Sequence, residues 1–250
     1  MNFKDHFSKH ASTYAIYRPK SPKLLFQYLA SLVHQRKVAW DVGTGNGQAA
    51  LELTPYFEKI IATDPSEAQI KHAVLHSKIE YRVEKAEKSR IRDHEIDLVT
   101  VAQAFHWFDF EPFFGEVRRV ATPGAIIAVW TYGLARIEPR IDALVMNYYD
   151  TRVGKCWPPE RKWVDDHYVT IPFPFEGITT PGFEMLEQRD LAEWCGYVFT
   201  WSATQKAIKE LGPKIFDDLV LDLEKEWGNA NDKKNIKWPL YLRVGRVNGC

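Results

Sequence analysis

Five short apolar runs alternate with helix-patterned segments through the first half of this 250-residue chain: Val38–Val42, Lys59–Thr63, Ile79–Val83, Ile96–Val101 and Ala125–Trp130. Runs this short and this apolar fit strands buried on both faces. Between them lie helix signals. Ser21-Pro22 opens a helix with an apolar face at Leu24, Leu25, Tyr28, Leu29 and Leu32. Gln48 to Phe57 is a second helix, and Pro112 to Val120 a later one. Ser66 and Gln69 have capping-box spacing, which predicts a helix from there to about His76. Strands alternating with helices predict an α/β chain with a parallel sheet covered on both faces.

After Trp130 the pattern changes. Residues 137–150 read as helix. Residues 151–181 are rich in aromatics and proline, including Trp157-Pro-Pro and Pro172-Phe-Pro-Phe175. A strand at Phe183–Arg189, helices at about 190–210 and 213–227, and a last strand in Trp238–Arg246 close the chain. The sum is a seven-stranded, mostly parallel sheet with an inserted region.

Bulk properties narrow the function classes. Lys+Arg and Asp+Glu are both 33, so the net charge is zero. That offers no electrostatic footprint for nucleic acid or a membrane surface. Cys156, Cys195 and Cys250 are far apart and odd in number. They suit free thiols in a reducing compartment, not a disulfide frame or a zinc site, so no metal is expected. No apolar run nears the ~20 residues of a membrane span. The N-terminus lacks the apolar core of a signal peptide, and a cytoplasmic location is the expectation.

The loop after the first strand reads Asp41-Val-Gly43-Thr-Gly45-Asn-Gly47. Strand, glycines and helix start make a Rossmann-like ligand loop. Its third glycine falls one position early for a dinucleotide fingerprint. Asp41 would repel a pyrophosphate and suits a ligand with an ammonium group. Asp64 ends the second strand, where an acid accepts from ribose hydroxyls. Gln103, His106 and Trp107 leave the fourth strand at the carboxyl edge that lines a ligand crevice.

Together these pieces resemble the class I S-adenosylmethionine-dependent methyltransferases. The resemblance rests on Asp41-x-Gly43-x-Gly45-x-Gly47, Asp64, Ala86-Glu87 and Ala102-Gln103-x-x-His106-Trp107. It implies S-adenosyl-L-methionine as cofactor, with Asp41, Gly43, Gly45, Gly47, Asp64, Pro65, Ser66, Ala86, Glu87 and Gln103 around it. A narrower resemblance, to the trans-aconitate and cantharidin-type small-molecule methyltransferases, rests on Tyr14-x-x-Tyr17-Arg18-Pro19, Trp157-Pro-Pro-Glu-Arg161, Val164-Asp-Asp-His167-Tyr168, Phe173-Pro-Phe175 and Thr200-Trp-Ser202. That resemblance implies four regions. Residues 1–20 are a lid bringing Tyr14 and Arg18 to the cofactor, and 21–131 are the cofactor-binding core. Residues 132–181 are an inserted acceptor cap, and 182–250 complete the sheet with helices.

The activity implied is methyl transfer to a carboxylate of a small, partly apolar acid. His106 would be a base or an orienting group, and Trp107, Trp157, Arg161, His167 and Tyr168 would meet the acceptor. Arg152, Arg161 and His167 are alternative partners for its carboxylate. A carrier-bound acid, phenol, amine or carbon acceptor, or a non-catalytic cofactor-binding domain, are the alternatives. Nucleic acid and membrane are not expected partners, and the residues give no oligomeric state.

Overall fold

The computed structural model describes residues 17–247. An eight-stranded sheet runs through it. The strands are β1 (Val38–Val42), β2 (Lys59–Asp64), β3 (Ile79–Val83), β4 (Ile96–Ala102), β5 (Ala121–Tyr132), β6 (Glu176–Ile178), β7 (Phe183–Arg189) and β8 (Lys234–Arg246). Their order is β3-β2-β1-β4-β5-β8-β6, with β7 also paired to β8. The five strands from β3 to β5 are parallel, and β8 runs antiparallel to β5, β6 and β7.

The helices are α1 (Lys23–Ser31), α2 (Gln48–Leu53), α3 (Glu67–Lys71), α4 (Phe110–Val120), α5 (Pro139–Asn147), α6 (Arg161–Asp165), α7 (Leu191–Phe199), α8 (Ser202–Leu211) and α9 (Lys214–Trp227). The sheet separates two cores. One gathers Phe26, Leu29, Ile60, Leu98, Trp130, Trp194 and Trp238. The other is a nest of Phe105, Phe113 and Phe114 against Trp40, Val99 and Ile127. Alternate residues of β4 and β5 therefore feed opposite cores, as strand geometry requires.

Several elements depart from the sequence expectation. The edge opposite β3 is split between β6 and β7, which gives eight strands and not seven. Because β6 pairs with β8, the 132–181 segment adds a strand to the sheet. β5 starts at Ala121 through Thr122-Pro-Gly124, where its register with β4 shifts between Ile96 and Leu98; proline is tolerated in a strand at such an irregularity. α2 stops at Leu53, where Thr54 Oγ1 turns back to Leu51 O at 2.8 Å ahead of Pro55. α3 stops at Lys71. The predicted helix over 190–210 is two helices, broken where Thr200 Oγ1 donates to Tyr197 O at 2.6 Å and Trp201 is extended.

Strand order reverses between β1 and β4. The chain leaves β2 and β1 toward one side and β4 and β5 toward the other, opening a crevice at the carboxyl ends.

Candidate active site

From Val42 the chain turns through the glycine loop into α2. Gly43, Gly45 and Gly47 have φ of +65°, +57° and +85°, which L side chains rarely adopt. A Cβ on Gly43 would lie 2.6 Å from Ala104 Cβ, and one on Gly47 would strike the Tyr81 hydroxyl. Two of these glycines are thus required by protein neighbours, whatever the ligand.

Asp41 lies behind this loop. It is 1% exposed. It accepts from Thr44 Oγ1 at 2.5 Å, from Thr100 Oγ1 at 2.8 Å and from the Ala50 N–H. Burial pushes its pKa up to about 6 despite these bonds, and the nearby Asp64 charge acts in the same direction. The sequence reading set Asp41 against an ammonium group. In the structure it is off the cavity wall and ties the loop to β4.

Asp64 is on the wall. Its Oδ2 accepts from Gly45 N at 2.9 Å and its Oδ1 from Ser66 N at 2.8 Å. Pro65 and Ser66 border the same cavity. Ser66 caps α3 through Gln69 N at 3.3 Å. The return half of the capping box does not form, because the Ser66 N–H goes to Asp64. Gln69 Oε1 is instead buried next to Gly45, with no hydrogen-bond partner among the described residues. Beyond β3, Ala86 and Glu87 line the wall. Glu87 Oε1 accepts from Asp109 N at 3.0 Å and latches that loop to the one after β4.

After β4 the backbone enters Gln103 at φ +55°. Gln103 Oε1 accepts from Thr131 Oγ1 at 2.8 Å and from Tyr132 N at 3.0 Å. His106 follows in a short 3-10 turn, its ring 4.6 Å from that of Trp107. His106 Nδ1 lies 2.7 Å from the Tyr168 hydroxyl. Burial, with the Arg161 charge nearby, pushes its pKa down to about 3, so it is neutral near pH 7. Burial also raises the Tyr168 phenol well above its ordinary range.

These groups surround a cavity of about 800 Å³ at the carboxyl edge of the sheet. Gly43, Gly45, Gly47, Asp64, Gln103, His106, Trp107, Trp157, Arg161 and Arg18 all line it. Arg18 donates to Tyr132 Oη at 3.0 Å and to Thr200 O at 3.1 Å. Arg161 Nε donates to Tyr149 Oη at 2.6 Å and to Asp165 Oδ1 at 3.1 Å. Its guanidinium lies 4.6 Å from the centre of the Trp157 ring.

Three expected acceptor groups are elsewhere. Arg152 pairs with Asp222 at 2.9 Å. His167 stacks on Tyr241 at 3.6 Å. Tyr168 is fully buried behind His106. Tyr14 lies outside the described residues. Gln69, Tyr132, Tyr197 and Trp201 also line the cavity. Gln69 was visible in the sequence only as a capping residue. Tyr197 and Trp201 are brought in at the break between α7 and α8; Thr200-Trp-Ser202 stood in the sequence as a motif, but with no place at the cavity given to it.

A sheet of this order, with a glycine loop after its first strand and an acid after its second, defines a Rossmann-like nucleotide-cofactor protein. Comparison with known proteins narrows the class. The family model for a methyltransferase domain matches residues 40–129. A protein of Dictyostelium discoideum, provisionally assigned as a methyltransferase, is 32% identical over 251 residues, covering 98% of this chain and 95% of its own. A solved structure from Anaeromyxobacter dehalogenans, provisionally assigned as a type II methyltransferase, matches with a TM-score of 0.87 and 38% identity, over 94% of this chain and 100% of its own. The probable S-adenosylmethionine-dependent methyltransferase CRG1 of Saccharomyces cerevisiae is 32% identical over 106 residues, 39% of this chain and 36% of its own. The chain belongs to the class I S-adenosylmethionine-dependent methyltransferases.

That fold implies S-adenosylmethionine as cofactor, and the residues present fit it. Asp64 is held on the wall by a backbone donor at each carboxylate oxygen, and an ionised carboxylate oxygen can accept more than one hydrogen bond, as ribose hydroxyls would require. The orphaned Gln69 Oε1 is a buried acceptor beside the loop. Such an atom costs about 1–3 kcal/mol until a donor arrives.

Proposed function

We propose that this enzyme methylates a carboxylate oxygen of a small, partly apolar acid. When bound, S-adenosylmethionine supplies a methyl group on a sulfonium, already activated for direct transfer. The chain's own task is then to hold the acceptor in line, at roughly 3 Å, with water excluded.

The observation that carries the reading is Arg161 beside His106 on the cavity wall. Arg161 uses Nε within the protein, and its Nη atoms have no hydrogen-bond partner among the described residues. A guanidinium in that state suits the bidentate capture of a carboxylate. His106, with its pKa near 3, is a poor store for a proton taken from an acceptor, since a general base works best near the operating pH. An acceptor that arrives ionised needs no such base. Trp107, Trp157 and Trp201 supply the apolar wall. The narrower resemblance to trans-aconitate and cantharidin-type enzymes points to the same acceptor class.

On the cofactor side, Asp64 and Gln69 take the ribose, and Gln103, braced by Thr131 and Tyr132, faces the methionine portion. Arg18 is at hand for the cofactor carboxylate, and Asp41 keeps the glycine loop in register.

A panel of small carboxylic acids, followed by formation of S-adenosylhomocysteine, tests the reading. Arg161→Met should lower kcat/KM for the best acid by at least a hundredfold, while the affinity for S-adenosylhomocysteine holds. Unchanged kcat/KM would remove Arg161 from the site.

A further inference from the structure

Behind the cavity wall the helical pattern is broken. Beyond Asn147, α5 continues into one wider turn, Tyr148–Arg152. There the Val153 N–H reaches back five residues to Tyr148 O, at 3.0 Å. In an α-helix that N–H would take Tyr149 O, four residues back. Such π-turns are rare and occur mostly as single insertions in α-helices, frequently at functional sites. This one is pinned on its far side. Tyr148 Oη donates to Thr204 Oγ1 at 3.3 Å, and Arg152 pairs with Asp222 at 2.9 Å. The wider turn leaves Tyr149 O for another donor, and Trp157 Nε1 supplies it at 3.2 Å.

The side chain of Tyr149 serves a second wall residue. Arg161 Nε donates to its hydroxyl at 2.6 Å, and that hydroxyl donates to Asp165 Oδ1 at 2.6 Å. A guanidinium has only donors to give, so the phenol accepts from Arg161 and its own proton goes to Asp165. The Tyr149 ring also lies 5.1 Å from the guanidinium, 4.7 Å from the Trp157 ring and, edge-on, 5.8 Å from the Trp201 ring. Trp157, Arg161 and Trp201 line the cavity. Tyr149 stands behind them, 7% exposed. One residue thus carries three wall groups: Trp157 by its carbonyl, Arg161 by its hydroxyl and Trp201 by its ring.

We infer that Tyr149, freed by the π-turn, is the positioning residue of the acceptor site: its hydroxyl holds Arg161 by Nε over the Trp157 ring and leaves both Nη groups for a ligand. The hold stands on this geometry alone; its use on an acceptor carboxylate rests on the proposed function. A guanidinium fixed in this way has given up its side-chain freedom before the acceptor arrives, so less is lost on binding. Tyr149 touches neither cofactor nor acceptor and acts through Arg161.

Exchange of the Arg161 Nε–H with water, followed by NMR of the ¹⁵N-labelled full chain, reads the hold; Arg161→Met assigns that signal, and Trp157→Phe assigns the Trp157 indole N–H. Wild-type exchange at Arg161 Nε should be about tenfold or more slower than in free arginine. Exchange as fast as in free arginine would overturn the hold. Tyr149→Phe keeps the ring and the carbonyl but loses the hydroxyl. It should speed exchange at Arg161 by about fivefold or more and leave the Trp157 indole within about twofold. No change at Arg161, or both signals speeding up together, would also overturn the hold. Turnover reads the use. For the best acid, Tyr149→Phe should raise KM by about tenfold, with the affinity for S-adenosylhomocysteine unchanged. In the Arg161→Met background the same change should alter kcat/KM by less than about twofold, as a residue acting only through Arg161 requires. An unchanged KM, or equal losses in both backgrounds, would overturn the positioning role. If Arg161→Met itself leaves turnover unchanged, the acid reading falls and the role of Tyr149 in acceptor binding falls with it, while the exchange result decides the hold alone.

Discussion

Gly47 turns at φ +85° directly against Tyr81, so its side chain is forbidden twice, by conformation and by contact. Gly47→Ala should therefore destabilise the protein by roughly 1–3 kcal/mol, seen as a lower Tm even without cofactor. An unchanged Tm would mean the loop has freedom the structure does not show. Asp64→Ala should weaken S-adenosylhomocysteine binding at least tenfold by calorimetry, since charge-assisted hydrogen bonds are worth about 1.5–3 kcal/mol each. An unchanged Kd would make the acid only a brace for Gly45. Asp41 gives a pH signature. Its folded pKa near 6 lies above the ordinary 3.8, so the folded chain holds the extra proton between those values. Its contribution to stability therefore falls as pH rises from about 4 to 6. His106 acts oppositely: its folded value near 3 lies below 6.5, so the unfolded chain holds the extra proton and stability rises with pH over that window. In urea unfolding, the stability of Asp41→Asn minus that of the wild type should rise by about 2 kcal/mol from pH 4 to pH 6.5 and then level off. A flat difference would refute the burial of an Asp41 charge. Asp41 shows where residue-level reading stops. The glycines and the acid were legible in the sequence, but the direction of the carboxylate was not. Thr100, from a strand 59 positions away, decides it.

At the level of elements, β1 to β4 and the glycine loop were legible because each is a local pattern: an apolar run, then a turn signal. The pieces missed have non-local causes. β6 is three residues inside an aromatic and proline-rich stretch, and it is a strand only because β8 offers it an edge. α7 and α8 read as one helix until Thr200 bonds back to Tyr197. In the inserted region, Trp157, Arg161, His167 and Tyr168 were all expected to meet the acceptor. In fact Trp157 and Arg161 line the cavity, while His167 and Tyr168 turn away to meet β8 and His106. Arg243 is the clamp. Arg243→Met removes its bonds to two buried carbonyls, which should cost about 1–3 kcal/mol. Hydrogen exchange should then accelerate at residues 166–171, with β1 and β4 still protected. Uniform acceleration across the sheet would show that the clamp supports the whole fold.

The whole molecule follows from one topological fact: the strand order reverses between β1 and β4, and the loops from every parallel strand end at the same edge. The groups proposed for the cofactor follow β1, β2, β3 and β4, and those proposed for the acceptor come from the turn after β4 and the segment after β5. Among the described residues no helix is long and apolar enough to cross a membrane. The sheet and its glycine loop were legible because the alternation of strand and helix leaves few arrangements. Part of the proposed acceptor wall was not: Arg161, Trp157 and Trp107 stand in legible motifs, but Tyr132 and Tyr197 converge on the cavity from distant segments. The central claim is methyl transfer to a carboxylate, and the bond formed can be tested directly. The enzyme is given methyl-labelled S-adenosylmethionine with the acid it turns over best, and the product is treated with mild alkali. A methyl ester should release its label as volatile methanol, and that is the result predicted. Label that stays with the product would mean an ether, amine or carbon acceptor and would contradict the account.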